Sequence, residues 1–437
     1  MPRQRHFCKH RLVSTTFDTQ RNPMLQLQSL IGVLVILSMA FMWSTNRHAI
    51  RVRVIVSGLA LQVVLAVLLL SFPAGIELFA TLGRGVTALL GFAGAGARFL
   101  FGNLADSSYA STFGFQFALT VVPIIVFFSS LVSVLYHLGV MQRVVQSMAW
   151  VLRRTLGTSP IESLSAAANV LLGQTEAPLL VRHYLPHASM SEIFAIMVGG
   201  FATIAGSTMG VYVALGIDPS TLMVASLLAA PGGLVMAKIA WPQGHEDVVD
   251  VASVMPSIES RNVVDALAHG AKDGLLLAAN VLVVLLAFVS VVAMIDAALA
   301  YVGGQIVEMG WSSFPTSLRE VLAVLFHPFS WLLGISPSDQ ANVGALLGTK
   351  LSVTEFVAYN DLAQFVQQKA MSPRSVTIAT IALCGFANVA SIGIQIGGFA
   401  IMAPQRRSDV AKAGFKAMCI GALASMQAAA VAGVVIA

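Results

Sequence analysis

Apolar residues along this chain gather into long runs separated by short polar or basic loops. A helix needs roughly 20 such residues to cross a bilayer. Residues 25–44 (LQLQSLIGVLVILSMAFMWS) and 52–72 supply the first two spans. Further spans fall at about 114–138, 189–214, 219–240, 274–303, 375–402 and 411–436. Residues 73–105 are Gly-rich and only moderately apolar, with Arg84 and Arg98, and predict an interfacial amphipathic helix followed by a loop. MQRVVQSMAWVLRRTLG (141–157) alternates basic and apolar faces and predicts a surface helix; another is expected near 261–273, after the polar loop 242–262. The stretches 158–185 and 317–362 are apolar but interrupted, the second by His327-Pro328, GISPSD and GTK. The pattern predicts an all-α polytopic membrane protein: eight transmembrane helices, two re-entrant helical hairpins and interfacial helices.

Charge sets the orientation, because Lys and Arg mark cytoplasmic loops. Arg47, Arg51 and Arg53 follow the first span, and Arg406, Arg407, Lys412 and Lys416 precede or open the last. Every strongly basic loop falls on one side if the two broken stretches re-enter instead of crossing. The N-terminus then lies outside, yet residues 1–23 carry Arg3, Arg5, Lys9, Arg11 and Arg21, a poor segment to translocate. They also lack the apolar core of a signal peptide. We therefore expect translation to start at Met24, with 1–23 a misassigned start or a disordered basic extension. A peptide covering residues 3–20 in the mass spectrum of the native protein would sink this idea.

Composition narrows the function classes. The chain is 57% hydrophobic and 10% charged, against about 25% charged in a soluble domain. Cys8, Cys384 and Cys419 show no CxxC spacing, and the nine histidines form no HExxH or clustered pattern. No resident cofactor and no nucleic-acid partner is expected, and the chain does not read as an enzyme.

One motif occurs twice. Thr175-Glu176 is followed by GFATIAG (200–206), and Thr354-Glu355 by GFANVAS (385–391). Each Thr-Glu lies in a broken stretch, and each GFA lies mid-span, where small residues favour unwinding. The charge count gives the two units opposite orientations. The chain thus divides into N-terminal spans (24–138), a first repeat (139–257) and a second repeat (258–437). Inverted repeats with discontinuous helices mark secondary transporters, whose site lies where the breaks meet.

The polar residues at those breaks are the candidate chemistry. A charge at the bilayer centre costs about 2.5–3.5 kcal/mol, so Glu176 and Glu355 are expected to face a cavity or a partner. Glu192, at the start of a span, is read with them, a helix-end carboxylate being the lesser alternative. Gln174 and Thr175 offer an amide and a hydroxyl that can read an edge of donors and acceptors. Phe386 offers a ring for stacking, Asn388 an amide and Ser391 a hydroxyl. Asn169, Thr203 and the carbonyls freed around Leu172 and Ile204 offer neutral oxygens, which hard cations prefer. Asn280 is expected to make an interhelical hydrogen bond. Lys350 either snorkels or pairs with a glutamate.

GQTEAPLLV (173–181), GGFATIAGSTMG (199–210), TEFVAY (354–359) and ALCGFANVASIGIQIGG (382–398) closely resemble the concentrative nucleoside transporters. The resemblance runs from about Met24 to the C-terminus. It implies a multi-pass protein of the bacterial inner membrane, a homotrimer whose subunits each hold a scaffold domain and a transport domain. It implies that Gln174, Thr175, Glu176 and Phe386 hold the base of a nucleoside (uridine, cytidine or adenosine class). Glu355, Asn388 and Ser391 would then hold the ribose hydroxyls, and Asn169, Leu172, Thr203 and Ile204 a sodium ion. Leu172 stands where the family often has valine, which matters little for a backbone ligand. Thr208 and Met209 occupy a variable position that bears on base preference. The intact GQTEAP looks like the sodium-coupled branch. The expected function is sodium-coupled nucleoside import by alternating access. The alternatives are proton symport, a passive channel, and an intramembrane hydrolase using Glu176 and Glu355.

Overall fold

The computed structural model describes residues 23–105, 109, 116–244, 260–308 and 315–436. Apart from Pro23, the basic extension expected over 1–23 lies outside the described residues, as does most of the polar loop 242–262. All regular structure among the described residues is helical. The N-terminal helices are α1 (Pro23–Met42), α2 (Val52–Leu70), α3 (Pro73–Phe101), α4 (Phe117–His137) and α5 (Val140–Leu156). The first repeat follows with α6 (Pro160–Asn169), α7 (Met190–Ala202), α8 (Gly206–Ala214) and α9 (Pro219–Ala240). The second holds α10 (Val263–Glu308), α11 (Leu318–Leu332), α12 (Gln340–Ser352), α13 (Glu355–Gln367), α14 (Pro373–Leu383), α15 (Val389–Met402) and α16 (Arg407–Val435).

The helix starts are written in the sequence. Ser159 and Ser189 each accept from the backbone N–H of a glutamate three residues on, and that glutamate bonds back to the serine N–H. This reciprocal pairing satisfies two orphan donors at a helix N-terminus. Asp218, Thr354, Ser372 and Asn388 cap α9, α13, α14 and α15 in the simpler way, each accepting one backbone N–H.

Eight helical stretches among the described residues are long and apolar enough to cross a membrane. They are α1, α2, α3 with the turn after it, α4, α7 with α8, α9, α10, and α16 with the turn before it. Residues 73–105 are therefore helical almost throughout; the expected loop shrinks to a single turn after Gly102, whose φ is +58°. The expected span 375–402 is two half-helices, α14 and α15. Residues 261–273 and 274–303 merge into α10, because the apolar contact with α4 continues through the polar turns between them. Gly270 and Gly274 allow that approach: a Cβ at either would lie 2.6 Å from Ser129 O or 2.8 Å from Val126 Cα. The stretch 317–362 resolves into three helices. Gly334, at φ +70°, turns the chain so that α11 packs against α12, and the hairpin proper is α12–α13.

Burial separates two groups. Helices α7–α8, α9 and α16 are almost wholly enclosed and pack on one another. Helix α10 has few buried residues along its apolar window and leans chiefly on α4. An exposed apolar helix of this length suits lipid or another subunit, not water.

Candidate functional site

The first hairpin is fastened at its base and sharply turned at its tip. At the base, Glu162 Oε2 lies 2.5 Å from Lys238 Nζ on α9, and the same ammonium donates to Ser191 Oγ at 2.9 Å. Both members of the ion pair are buried. At the tip, the Glu176 N–H donates to Gly173 O at 3.1 Å, and the Gly173 N–H donates to Glu176 Oε2 at 3.2 Å. Pro178 then sits in a short turn of tighter helix over Ala177–Val181. GQTEAP is therefore a turn that closes on its own carboxylate.

The two broken spans cross at their breaks. Helix α7 stops at Ala202, Thr203 to Ala205 run extended, and the Gly206 N–H that opens α8 donates to Leu171 O at 3.0 Å. Helix α14 stops at Leu383, and Asn388 opens α15 by accepting from the Ser391 N–H at 2.9 Å. The Phe386 N–H donates to Thr203 O at 3.3 Å, which joins one unwound segment to the other. Gly385 sits at this crossing with φ +136°, and a Cβ there would lie 2.5 Å from Phe201 O.

A cavity of about 970 Å³ opens where hairpin tips and breaks converge. Gln174, Thr175, Glu176, Glu355, Phe386, Asn388 and Ser391 all line it. Glu355 is 2% exposed. Asn388 Nδ2 donates to its Oε2 at 2.8 Å, and the Tyr212 hydroxyl donates to its Oε1 at 3.4 Å. Gln174 Oε1 accepts from Gln395 Nε2 at 3.2 Å, which also donates to Met197 O at 3.1 Å. So one wall carries an amide, a hydroxyl and a carboxylate, and the facing wall a carboxylate braced by an amide. This volume and polarity suit a small polar molecule with an aromatic or apolar body.

The cation candidates lie in and behind the cavity wall. Leu172 lines the cavity, whereas Asn169, Thr203 and Ile204 are buried and do not. Asn169 is 0% exposed, and neither its Oδ1 nor its Nδ2 has a hydrogen-bond partner. Thr203 Oγ1 donates to Gly199 O at 2.9 Å. Helices α6 and α7 both end here, at Asn169 and Ala202, with no basic residue in either last turn. Helix C-termini carry partial negative charge. A neutral oxygen with no partner between two such ends is a donor set that fits a hard monovalent cation.

Several groups were invisible as site residues in the sequence. Gln395 was passed over, though an amide inside the apolar run GIQIGG is a signal that could have found it; nothing in the local sequence marks Tyr212. Lys350 does not snorkel, and among the described residues it makes no ion pair: it is 0% exposed and donates to Ala382 O and Ser425 Oγ. Glu192, expected beside the other two carboxylates as a functional group, instead closes the capping box at Ser189 and does not line the cavity, because its carboxylate is taken up by the helix-start N–H. Asn280 is exposed on α10 and lines the cavity instead of fastening helices. Among the described residues no His, Cys, Asp or Glu cluster could hold a transition metal.

Two hairpins, two crossed broken helices and one oxygen-lined cavity define a membrane secondary transporter. Comparison with known proteins makes that class specific. Residues 31–104 and 221–433 match the family models for the N- and C-termini of Na+ dependent nucleoside transporters, and 118–218 match a nucleoside-recognition Gate model. An uncharacterized transporter of Haemophilus influenzae is 43% identical over 94% of this chain and 98% of its own length. Solute carrier family 28 member 3 of Mus musculus is 37% identical, and sodium/nucleoside cotransporter 1 of Homo sapiens also 37%. The chain spans only 60% and 65% of the lengths of those two mammalian proteins. Among solved structures, CNTnw in an inward-facing substrate-bound state superposes with TM-score 0.87 at 39% identity, covering 94% of this chain and 98% of that one. A doubly substituted CNTnw in an outward-facing state gives TM-score 0.89 at 40% identity over 94% and 99%. The chain belongs to the concentrative nucleoside transporter family. It is a multi-pass membrane transporter and not an enzyme.

Proposed function

We propose that this protein imports nucleosides by sodium symport through alternating access. The observation that carries the reading is the convergence of both hairpin tips and both helix breaks on one cavity. In this reading Gln174, Thr175 and Glu176 bond the edge of the base, and Phe386 stacks on its face. Glu355 accepts from the two ribose hydroxyls, helped by Asn388 and Ser391. Sodium binds Asn169, Thr203 and the carbonyls of Leu172 and Ile204, bringing α6 and α7 together. Ordering the tip of the first hairpin is then linked to ion binding, because Leu171 already bonds Gly206 across the same gap. A ligand can shift a conformational equilibrium only by binding one state better, and the two helix ends supply that difference.

The driving force is adequate. One charge moving through 100 mV supplies about 2.3 kcal/mol. A tenfold sodium gradient adds about 1.4 kcal/mol. Both together hold roughly a 500-fold nucleoside gradient. The site works in a bacterial inner membrane as a homotrimer, with the exposed apolar length of α10 supplying contact surface; this rests on the family reading.

Uptake of radiolabelled uridine or adenosine into proteoliposomes tests the proposal, with an inward sodium gradient against choline at fixed pH. Sodium-dependent accumulation above equilibrium supports it. Accumulation driven by a proton gradient alone refutes the ion assignment and leaves the substrate class standing. Equilibration without accumulation makes the protein a passive channel.

A further inference from the structure

The two repeats treat the same electrostatic problem differently. In the first, the C-terminal ends of α6 and α7 meet without a basic side chain. In the second, α12 ends at Ser352 and α14 at Leu383, and here a basic residue is present: Lys350, in the last turn of α12. Its ammonium donates to Ala382 O at 2.9 Å, a carbonyl in the last turn of α14, and to Ser425 Oγ at 2.7 Å on α16. The Ser425 hydroxyl donates its own hydrogen bond to Ala422 O at 2.9 Å, so its lone pairs face the lysine. Among the described residues no carboxylate lies within ion-pair distance of Lys350. The charge is therefore held as a cation site holds a metal ion, by a helix-end carbonyl and a hydroxyl.

Mere fastening does not require this charge. A buried ion is costly, and well-packed apolar residues often serve stability as well or better. The charge gains its purpose from Glu355. That carboxylate opens α13 three residues after α12 ends, at the same hairpin tip as Lys350 and without ion-pair contact to it. Three helix ends thus surround the pair, two C-termini at the ammonium and one N-terminus at the carboxylate, each with the favourable sign.

We propose that Lys350 is a tethered cation of the substrate site, standing in the second repeat where an exchangeable cation stands in the first. It offsets the two helix ends and holds Glu355 as a charged, aimed acceptor without recruiting an ion. Lys350 is a positioning residue, since it acts on substrate only through Glu355. The inference rests on the proposed role of Glu355 toward the ribose hydroxyls and of the first repeat toward sodium.

The test is calorimetric binding to the purified full-length protein in saturating sodium chloride. The nucleoside, uridine or adenosine, is compared with its 2′,3′-dideoxy counterpart. Lys350→Met, near in volume but neutral, should raise the nucleoside Kd by roughly tenfold or more, as expected for loss of a charged hydrogen-bond acceptor's alignment. The dideoxy compound should bind almost as before, so that discrimination collapses, and the sodium concentration for half-saturation should stay within about twofold. Lys350→Arg keeps the charge and should keep the discrimination. If Lys350→Met does not fold, Ser425→Ala, which removes one anchor, should still lower discrimination by about threefold. Unchanged discrimination in Lys350→Met, or in Ser425→Ala in its place, overturns the proposal. Glu355→Gln is the control: if it too leaves discrimination intact, the ribose assignment of Glu355 fails, and the inference falls with it. If only the lysine variants leave it intact, the inference fails alone.

Discussion

Gly385→Ala perturbs the point at which the two broken helices cross. The backbone there has φ +136°, a region that side chains disfavour. An alanine Cβ would lie 2.5 Å from Phe201 O and 2.9 Å from Ala202 C. Both are backbone atoms at the buried end of α7, so no flexible side chain can yield. Backbone strain costs about 1–3 kcal/mol. Overpacking against an immobile neighbour adds about 1–3 kcal/mol. The whole effect is of order 2–6 kcal/mol, with the Phe386 N–H to Thr203 O bond stretched or lost as the segments part. At about 1.4 kcal/mol per tenfold, nucleoside affinity should fall at least 30-fold if the site opens before the protein unfolds. If unfolding comes first, the same energy appears as a lower melting temperature. Calorimetric binding and a thermal melt on one preparation separate these outcomes. Gly397→Ala on α15 is the control, since nothing lies within 4 Å of its added methyl. Wild-type melting together with wild-type affinity in Gly385→Ala would show that the crossing is not what assembles the site.

Other expectations follow from the same geometry. Glu176→Gln and Glu355→Gln should each abolish uptake while the protein elutes as folded; normal transport by either refutes its assigned role. Asn169→Ala should raise the sodium concentration for half-maximal uptake by roughly tenfold or more, since it removes an oxygen proposed to face the ion, and an unchanged sodium dependence would move the ion elsewhere. Lys238→Met strands Glu162 at the base of the first hairpin, which should cost about 3–5 kcal/mol in a denaturation measurement; a melt like wild type refutes the fastening role. Asp339, in the turn before α12, is buried, which raises its carboxyl, yet hydrogen bonds from Ser375, Ser372 and Ser338 hold it below the usual range. A lowered carboxyl stabilises above the unfolded value of about 3.9 and loses that effect as pH falls through the folded value. Wild type should therefore lose melting temperature faster than Asp339→Asn below about pH 4, and parallel curves would refute it.

The sequence by itself determined the membrane class and picked out Gln174, Thr175, Glu176, Glu355, Phe386, Asn388 and Ser391, which line the cavity. Runs of apolar residues admit no other solvent than lipid. A carboxylate or amide inside such a run must face a cavity or a partner, so Gln174, Glu176, Glu355 and Asn388 announced themselves by cost alone. The helix starts at Ser159, Ser189 and Asn388 were local chemistry, readable from neighbours a few residues away. What joined these signals was a different kind of fact. Phe386 meets Thr203, Gln395 meets Gln174, and Lys350 meets Ser425 across long sequence separations. Periodicity carries no information about such contacts. The sequence left Lys350 open between snorkelling and pairing, and the fold chose neither, because a distant helix end and a serine on a third helix brought oxygens to it. Nothing local marks Tyr212; only the fold sets it beside Glu355. Continuity was also a tertiary matter: α10 runs through its polar turns because α4 packs along it, and 317–362 became three helices because α11 found α12 to lie against. Local burial costs are set residue by residue and survive in the sequence; partners are set by which distant surfaces fit, and only the folded chain decides that.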